Sequence, residues 1–94
     1  MDINKALRSV VSTGKVYFGI NEAKKAVKAG QAKLIIISSN CPANYIEELT
    51  NIKKVSTYTF KGTNMDLGST CGKPFPIAVL TVVKPGKSNI LQLK

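Results

Sequence analysis

The sequence predicts a layered α/β/α protein whose single domain spans residues 1–94. Helical and strand-like segments alternate along the chain, which is typical of helices packed on both faces of a sheet. Residues 34–37 and 77–83 are continuously apolar, so both faces of these strands should be covered. With 44% hydrophobic residues, a chain of this length can bury one core.

The first two elements are a helix and a short strand. Asp2 can cap a helix over residues 3–12, because apolar side chains recur there at helical spacing. We expect Gly14 to end this helix in a left-handed conformation. Residues 16–18 are then predicted to form a strand.

The middle of the chain predicts a helix, an inner strand and another helix. The second helix follows Gly19 and stops at Gly30, and the apolar run 34–37 is the inner strand. Pro42 suits the first position of a third helix that reaches about Lys53. Its expected buried stripe comprises Tyr45, Ile46, Leu49 and Ile52.

The last part of the chain predicts two strands around a short helix. Residues 55–60 are rich in β-branched and aromatic residues and form the third strand. Thr63 begins a capping box, and Gly68 should stop the short helix that follows. Residues 77–83 are the last strand, and residues 88–94 have no predicted element.

Charge predicts a polyanionic partner. The chain has 14 Lys and Arg against 5 Asp and Glu, a net charge of +9, which favours nucleic acid over a membrane surface. No apolar run approaches the ~20 residues that a membrane span needs. The N-terminus lacks the apolar core of a signal peptide, so we expect a cytoplasmic protein.

The sequence has few of the residues that catalytic and metal sites need. The sequence has two cysteines and no histidine, which excludes an ordinary four-ligand zinc site and a Ser-His-Asp triad. Residues 68–73 resemble a phosphate-binding loop but are one residue too short between the glycines, and Pro74 occupies the Ser/Thr position. We therefore expect no enzyme activity, no cofactor and no metal.

Residues 19–25 are the first candidate binding site. Gly19 leaves the backbone accessible, Asn21 is placed to cap the helix, and Glu22 and Lys25 can share one helix edge with it. An amide, a carboxylate and an ammonium group together suit base edges and phosphates. Taken alone, the stretch favours the simpler interpretation of a capped, solvated helix end.

Lysines continue along the same helix. Lys24 and Lys28 are four residues apart, and Lys25 and Lys28 are three apart, so each pair places like charges side by side. This arrangement is slightly unfavourable alone and favourable beside phosphates. The alternative is a solvated lysine face.

Loops that leave the carboxyl ends of parallel strands gather at one edge of the sheet, so we expect the loop from Ser38 to Pro42 beside the first candidate site. If the last strand is oriented to suit, the loop from Lys73 to Ile77 lies there as well. In the loop from Lys73 to Ile77, Phe75 lies between two prolines and either stacks on an unpaired base or fills the core. In the loop after the inner strand, Asn40 either caps the following helix only or also donates to RNA.

The chain resembles the archaeal and eukaryotic ribosomal protein family L30e, a branch of the kink-turn-binding superfamily typified by L7Ae. The resemblance covers essentially the whole chain. Residues 19–25 (Gly-Ile-Asn-Glu-Ala-Lys-Lys) are shared across the superfamily. The other matching stretches are residues 32–42, residues 62–68, and residues 71–75 with residues 85–91.

The resemblance implies a mixed four-stranded sheet and a component of the large ribosomal subunit that grips a kink-turn in ribosomal RNA. It implies that Asn21, Glu22 and Lys25 read guanine edges and adjacent phosphates. Asn40 and the loop from Phe75 to Ile77 would hold bulged nucleotides. The implied partners are ribosomal RNA and other large-subunit components, with no membrane, and the protein is a monomer when free.

Three alternative functions differ from this expectation. A free kink-turn binder, in a guide-RNA particle or on its own message, would have the same fold and site. An RNA-modifying enzyme would need a cofactor pocket, for which 94 residues leave no room. A protein-interaction scaffold without RNA is disfavoured by the net charge of +9.

Overall fold

Helices and strands alternate along the chain, and a computed structural model describes residues 2–93. The elements, in order, are α1 Ile3–Thr13, β1 Lys15–Phe18, α2 Ile20–Lys28, β2 Leu34–Ile37, α3 Ala43–Ile52, β3 Thr57–Thr59, α4 Asn64–Thr70, β4 Val79–Lys84 and a 3₁₀ helix Ile90–Leu93. The predicted alternation of helices and strands is therefore confirmed.

The four strands form one mixed sheet in the order β1-β4-β2-β3. Strand β4 is antiparallel to both β1 and β2, whereas β2 and β3 are parallel. Strands β1, β2 and β3 therefore end at the edge of the sheet where β4 begins, which we call the carboxyl edge. The strands β1 to β3 begin, and β4 ends, at the opposite edge.

The side chains of β2 show how the three layers form. Leu34 and Ile36 pack into a core with α1 and α4, whereas Ile35 and Ile37 pack into a second core with α2 and α3. All four side chains are buried. The lack of alternation in this run thus reflects helices on both faces, and the predicted α/β/α sandwich is confirmed.

Two helix starts agree with their sequence signals. The Asp2 carboxylate accepts hydrogen bonds from the backbone N–H groups of Asn4 (3.1 Å) and Lys5 (3.3 Å). Thr63 and Asp66 form the predicted capping box, in which each side chain accepts from the backbone N–H of the other. These four hydrogen bonds satisfy amide groups that have no partner within the helix at its start.

Two glycine predictions were wrong. Gly14 has a φ of −99°, so its role is not a left-handed turn. A Cβ there would collide with the Lys84 carbonyl oxygen. Gly68 lies inside α4 and does not stop it. The Phe75 carbonyl oxygen approaches so closely there that a Cβ would collide with it, which explains the glycine.

Element ends also differ from expectation. Strand β3 has three residues, shorter than predicted. Ile52 is 40% exposed instead of buried. The C-terminal segment, where no element was predicted, holds a short 3₁₀ helix whose Ile90 is fully buried in the core beside α1. The Ser88 hydroxyl anchors this segment by donating to the Ala6 carbonyl at 2.7 Å.

One buried polar group on β4 gives a stability prediction. The Thr81 hydroxyl is completely buried, and it has no hydrogen-bond partner in the described part of the chain. Burying a hydroxyl without a hydrogen-bond partner costs free energy, and a methyl group of similar shape removes this desolvation penalty. We expect Thr81→Val to raise the free energy of unfolding by about 1 kcal/mol in urea denaturation.

The matched control is Thr59→Val, because Thr59 is exposed on β3. Its effect should stay within about 0.5 kcal/mol of zero. A loss of stability in Thr81→Val, with the slope of the urea transition unchanged, would contradict the assignment of an unpaired hydroxyl.

Candidate nucleic-acid interface

The tip of α2 exposes its backbone at the carboxyl edge. Gly19 has a φ of 95°, and no atom lies within 4 Å of where its Cβ would be. Its N–H donates to the Val79 carbonyl at 2.9 Å, and its own carbonyl accepts from Ala23 at 3.1 Å. A side chain at this position would be strained and would cover the backbone, so glycine keeps the tip open.

Asn21 is not the cap of α2, contrary to prediction. Gly19 is the N-cap residue, and Asn21 and Glu22 are the second and third residues of the helix. In this first turn the backbone N–H groups have no partner within the helix and point out of its end. The exposed Asn21 side chain therefore adds an amide beside N–H groups that can donate to an incoming ligand.

Glu22 and Lys25 share one edge of α2, as predicted. Lys25 Nζ lies 3.6 Å from the Glu22 carboxylate, and the Lys25 side chain is 76% exposed. Lys24, which lies off that edge, forms a 3.0 Å ion pair with Glu48 of α3. Lys28 ends the helix, about 10 Å along the axis from Asn21 at 1.5 Å per residue.

A depression of about 510 Å³ lies beside the tip. It is lined by Phe18, Gly19, Ile20, Asn21, Glu22, Tyr45, Asn64, Pro76 and Ala78. The predicted meeting of the tip with the loop before β4 is thus confirmed. Sequence reasoning missed Tyr45 and Asn64: the first resembled an ordinary core residue, and the second was hidden within the capping box.

Asn40 connects the loop after β2 to the start of α4. Its Oδ1 accepts from the Asn64 backbone N–H and from the Ser38 hydroxyl, both at 2.9 Å. Its Nδ2 donates to the Asn64 Oδ1 at 3.3 Å. Asn40 therefore satisfies the first amide of α4, not of the helix that follows it in sequence, where Pro42 is the N-cap residue.

Phe75 does not fill the core. Its side chain is 45% exposed, and its ring meets Phe18 edge-on, with the centroids 5.9 Å apart and the planes at 78°. Lys73 Nζ lies 5.6 Å from the centroid of the Phe18 ring. An aromatic ring, a cation and two stiffening prolines are thus presented together next to the tip.

Ile77, and not Phe75, fills the core that α1 and α4 share with the sheet. Its side chain is 2% exposed, so only its backbone could meet a ligand. Its N–H donates to the Asn64 carbonyl at 2.8 Å, which ties the last loop to the start of α4.

The two cysteines are free and lie on different faces of the sheet. Burial raises the pKa of the Cys71 thiol to about 11, although the nearby Lys73 opposes this shift. Burial also raises the pKa of Cys41. Both thiols are therefore neutral near pH 7 and unsuited to nucleophilic chemistry.

Among residues 2–93, no three His, Cys, Asp or Glu side chains lie close enough to hold a metal ion together. No helix in this part of the chain has the length and apolar character needed to cross a membrane.

Comparison with known proteins identifies the family. The model of the ribosomal protein L7Ae/L30e/S12e/Gadd45 family matches residues 1–92. The chain belongs to this family. This result agrees with the resemblance drawn from the sequence motifs.

Similar relatives are named large ribosomal subunit protein eL30. The protein from Methanoregula boonei is 42% identical over 94 residues, which cover 100% of this chain and 97% of the relative. The protein from Methanosphaera stadtmanae is 44% identical over 97 residues, covering 100% and 99%. That from Methanococcus vannielii is 43% identical over 96 residues, covering 99% and 91%.

The link between Asn40 and α4 gives a prediction about stability. Asn40→Ala removes the acceptor of the Asn64 N–H, which is equivalent to losing a helix cap. We expect a loss of about 1–2 kcal/mol in the free energy of unfolding, measured by urea denaturation. Asn44→Ala is the control, because Asn44 is exposed in the first turn of α3. Equal effects of the two substitutions would show that the Asn40 bonds contribute nothing.

Proposed function

We propose that this protein is a structural constituent of the large ribosomal subunit that binds a kink-turn in ribosomal RNA at its carboxyl edge. Family membership and the names of its relatives support the ribosomal role. On this proposal the chain acts as one RNA-binding domain, is a monomer when free, and works on ribosomes in the cytoplasm without contacting a membrane.

The observation that carries the proposal is the composition of the tip of α2. Within one turn it combines an open backbone at Gly19, an amide at Asn21, a carboxylate at Glu22 and a cation at Lys25. The N–H groups of the first turn attract phosphate. The carboxylate accepts hydrogen bonds but cannot donate, so it suits the amino and imino groups of a base and not the phosphates.

The depression beside the tip favours bent RNA over regular duplex. In an A-form helix the base edges of the major groove lie too deep for side chains to reach, so bases are read where they are unstacked. Phe75 offers an exposed ring for such a base, and Asn40 Nδ2 retains one amide proton besides the one that it donates to Asn64. Lys24, Lys28 and Lys73 supply positive charge around this surface.

Substitution in the tip tests base recognition. Asn21→Ala and Glu22→Ala should each weaken binding of a kink-turn RNA by about 1–3 kcal/mol, because each removes a hydrogen-bonding group for a base edge. Binding of an unkinked duplex of equal length should change little. Fluorescence anisotropy titrations with both RNAs measure the difference.

Lys28→Ala is the contrasting variant, because a phosphate contact carries no sequence information. It should weaken both RNAs alike and reduce the slope of log K against log salt by about one. If the tip variants and Lys28→Ala lower the affinity of every RNA equally, the tip does not read bases.

The ribosomal role has its own test. We expect the tagged protein to co-sediment with large subunits in sucrose gradients at high salt, where contacts made by charge alone are weakened. Crosslinking in intact ribosomes should attach the carboxyl edge to a kinked segment of ribosomal RNA. Recovery only in particles lighter than a subunit would instead favour a free kink-turn binder.

A further inference from the structure

Lysines collect at the edge of the sheet opposite the proposed RNA site. Lys15 begins β1 and Lys84 ends β4, and the two residues lie directly opposite each other across the strand pair. Lys33 stands immediately before β2, and its N–H donates to the Val82 carbonyl at 2.8 Å. All three lysines are exposed.

The end of α3 adds to this cluster. Lys53 is the C-cap residue of α3. Lys53 Nζ lies 3.5 Å from where a Cβ of Gly30 would be, so α3 ends beside the turn that leads into β2. We call Lys15, Lys33, Lys53 and Lys84 together the basic edge.

The acidic residues lie elsewhere. Asp2, Glu22 and Asp66 stand at the starts of α1, α2 and α4, and Glu47 and Glu48 lie within α3. The ion pairs found in the described residues join Lys24 to Glu48 and Lys25 to Glu22, and neither involves the basic edge. The lysines of the basic edge therefore have no ion pair among the described residues.

The fold explains only part of this cluster. A cation at the end of α3 complements the helix dipole, which accounts for Lys53. Lys15, Lys33 and Lys84 lie at strand ends, where no such dipole exists. Lys15 and Lys84 are partners beside an irregularity in the strand pairing, and Lys15 Nζ lies 5.7 Å from the centroid of the Tyr17 ring.

We propose that the basic edge binds a second segment of RNA through its phosphates, so that one sheet holds two RNA segments at opposite edges. The inference rests on the proposed function in taking RNA as the polyanion. The lysines offer point charges without the acceptors needed to tell bases apart, so this surface holds the RNA backbone without reading its sequence.

The two surfaces are far enough apart to act independently. Strand β4 spans six residues, or roughly 20 Å at about 3.3 Å per residue. Charge is screened over about 8 Å at physiological salt. A change of charge at the basic edge should therefore leave the affinity of the carboxyl edge intact.

The test compares two double variants that each remove two positive charges. Lys15→Gln/Lys84→Gln alters the basic edge, and Lys5→Gln/Arg8→Gln is the control on the exposed face of α1. Circular dichroism verifies that both are folded. Each protein is titrated with a short kink-turn RNA, and its saturated complex is then titrated with a labelled, unkinked RNA duplex across a series of salt concentrations.

We expect Lys15→Gln/Lys84→Gln to weaken duplex binding by about tenfold and to reduce the slope of log K against log salt by about two. Its affinity for the kink-turn RNA should stay within about twofold of the original protein. The control should match the original protein for both RNAs.

Two results would overturn the inference. Equal duplex binding by both double variants would mean that the lysines of the basic edge are only hydrated and do not contact RNA. An equal loss of kink-turn affinity in Lys15→Gln/Lys84→Gln would mean that the two edges form one site. If the original protein does not prefer kinked RNA, the proposed function fails, and the two variants compared on duplex alone still decide the role of the basic edge.

Discussion

The reversed direction of β4 is the constraint on which the binding surface depends. Strand β4 lies between β1 and β2 and runs antiparallel to both, so its first residues start where those strands end. The Gly19 N–H to Val79 carbonyl bond of 2.9 Å fixes the tip of α2 to this start. If β4 were parallel to its neighbours, the loop that carries Phe75 would lie at the opposite edge. The tip would then have no aromatic surface beside it.

Close backbone contacts hold the loop before β4 in place. The Phe75 carbonyl approaches α4 where Gly68 has no side chain, and the Ile77 N–H donates to the Asn64 carbonyl at 2.8 Å. Asn64 in turn gives its own N–H to Asn40. A chain of backbone and amide bonds therefore connects the loop after β2, the start of α4 and the loop before β4. Such a surface is formed before a ligand arrives, which lowers the entropy cost of binding.

The sequence predicts the layers and most elements because these depend on local patterns. The apolar run of β2, the Asp2 cap and the Thr63 capping box each act within a few residues, and each is found as predicted. The errors at Gly14 and Gly68 have the opposite cause. Both glycines are required by a carbonyl from a distant part of the chain, at Lys84 and Phe75, and no local pattern reveals such contacts.

In the candidate site, too, local features could be predicted from the sequence and contacts between distant residues could not. The tip could be found from sequence because its polar groups are adjacent, although Gly19 and not Asn21 proved to be the cap. Asn40 was recognised as a candidate, but its partner Asn64 is 24 residues away. Glu22 shows why composition alone is a poor guide to the role of a site. A carboxylate repels phosphate, so on the proposed function its presence at the tip of a protein with a net charge of +9 lowers affinity for RNA in general. On that proposal it contributes only where an RNA offers donors to its oxygens, and it favours one RNA shape by penalising the others.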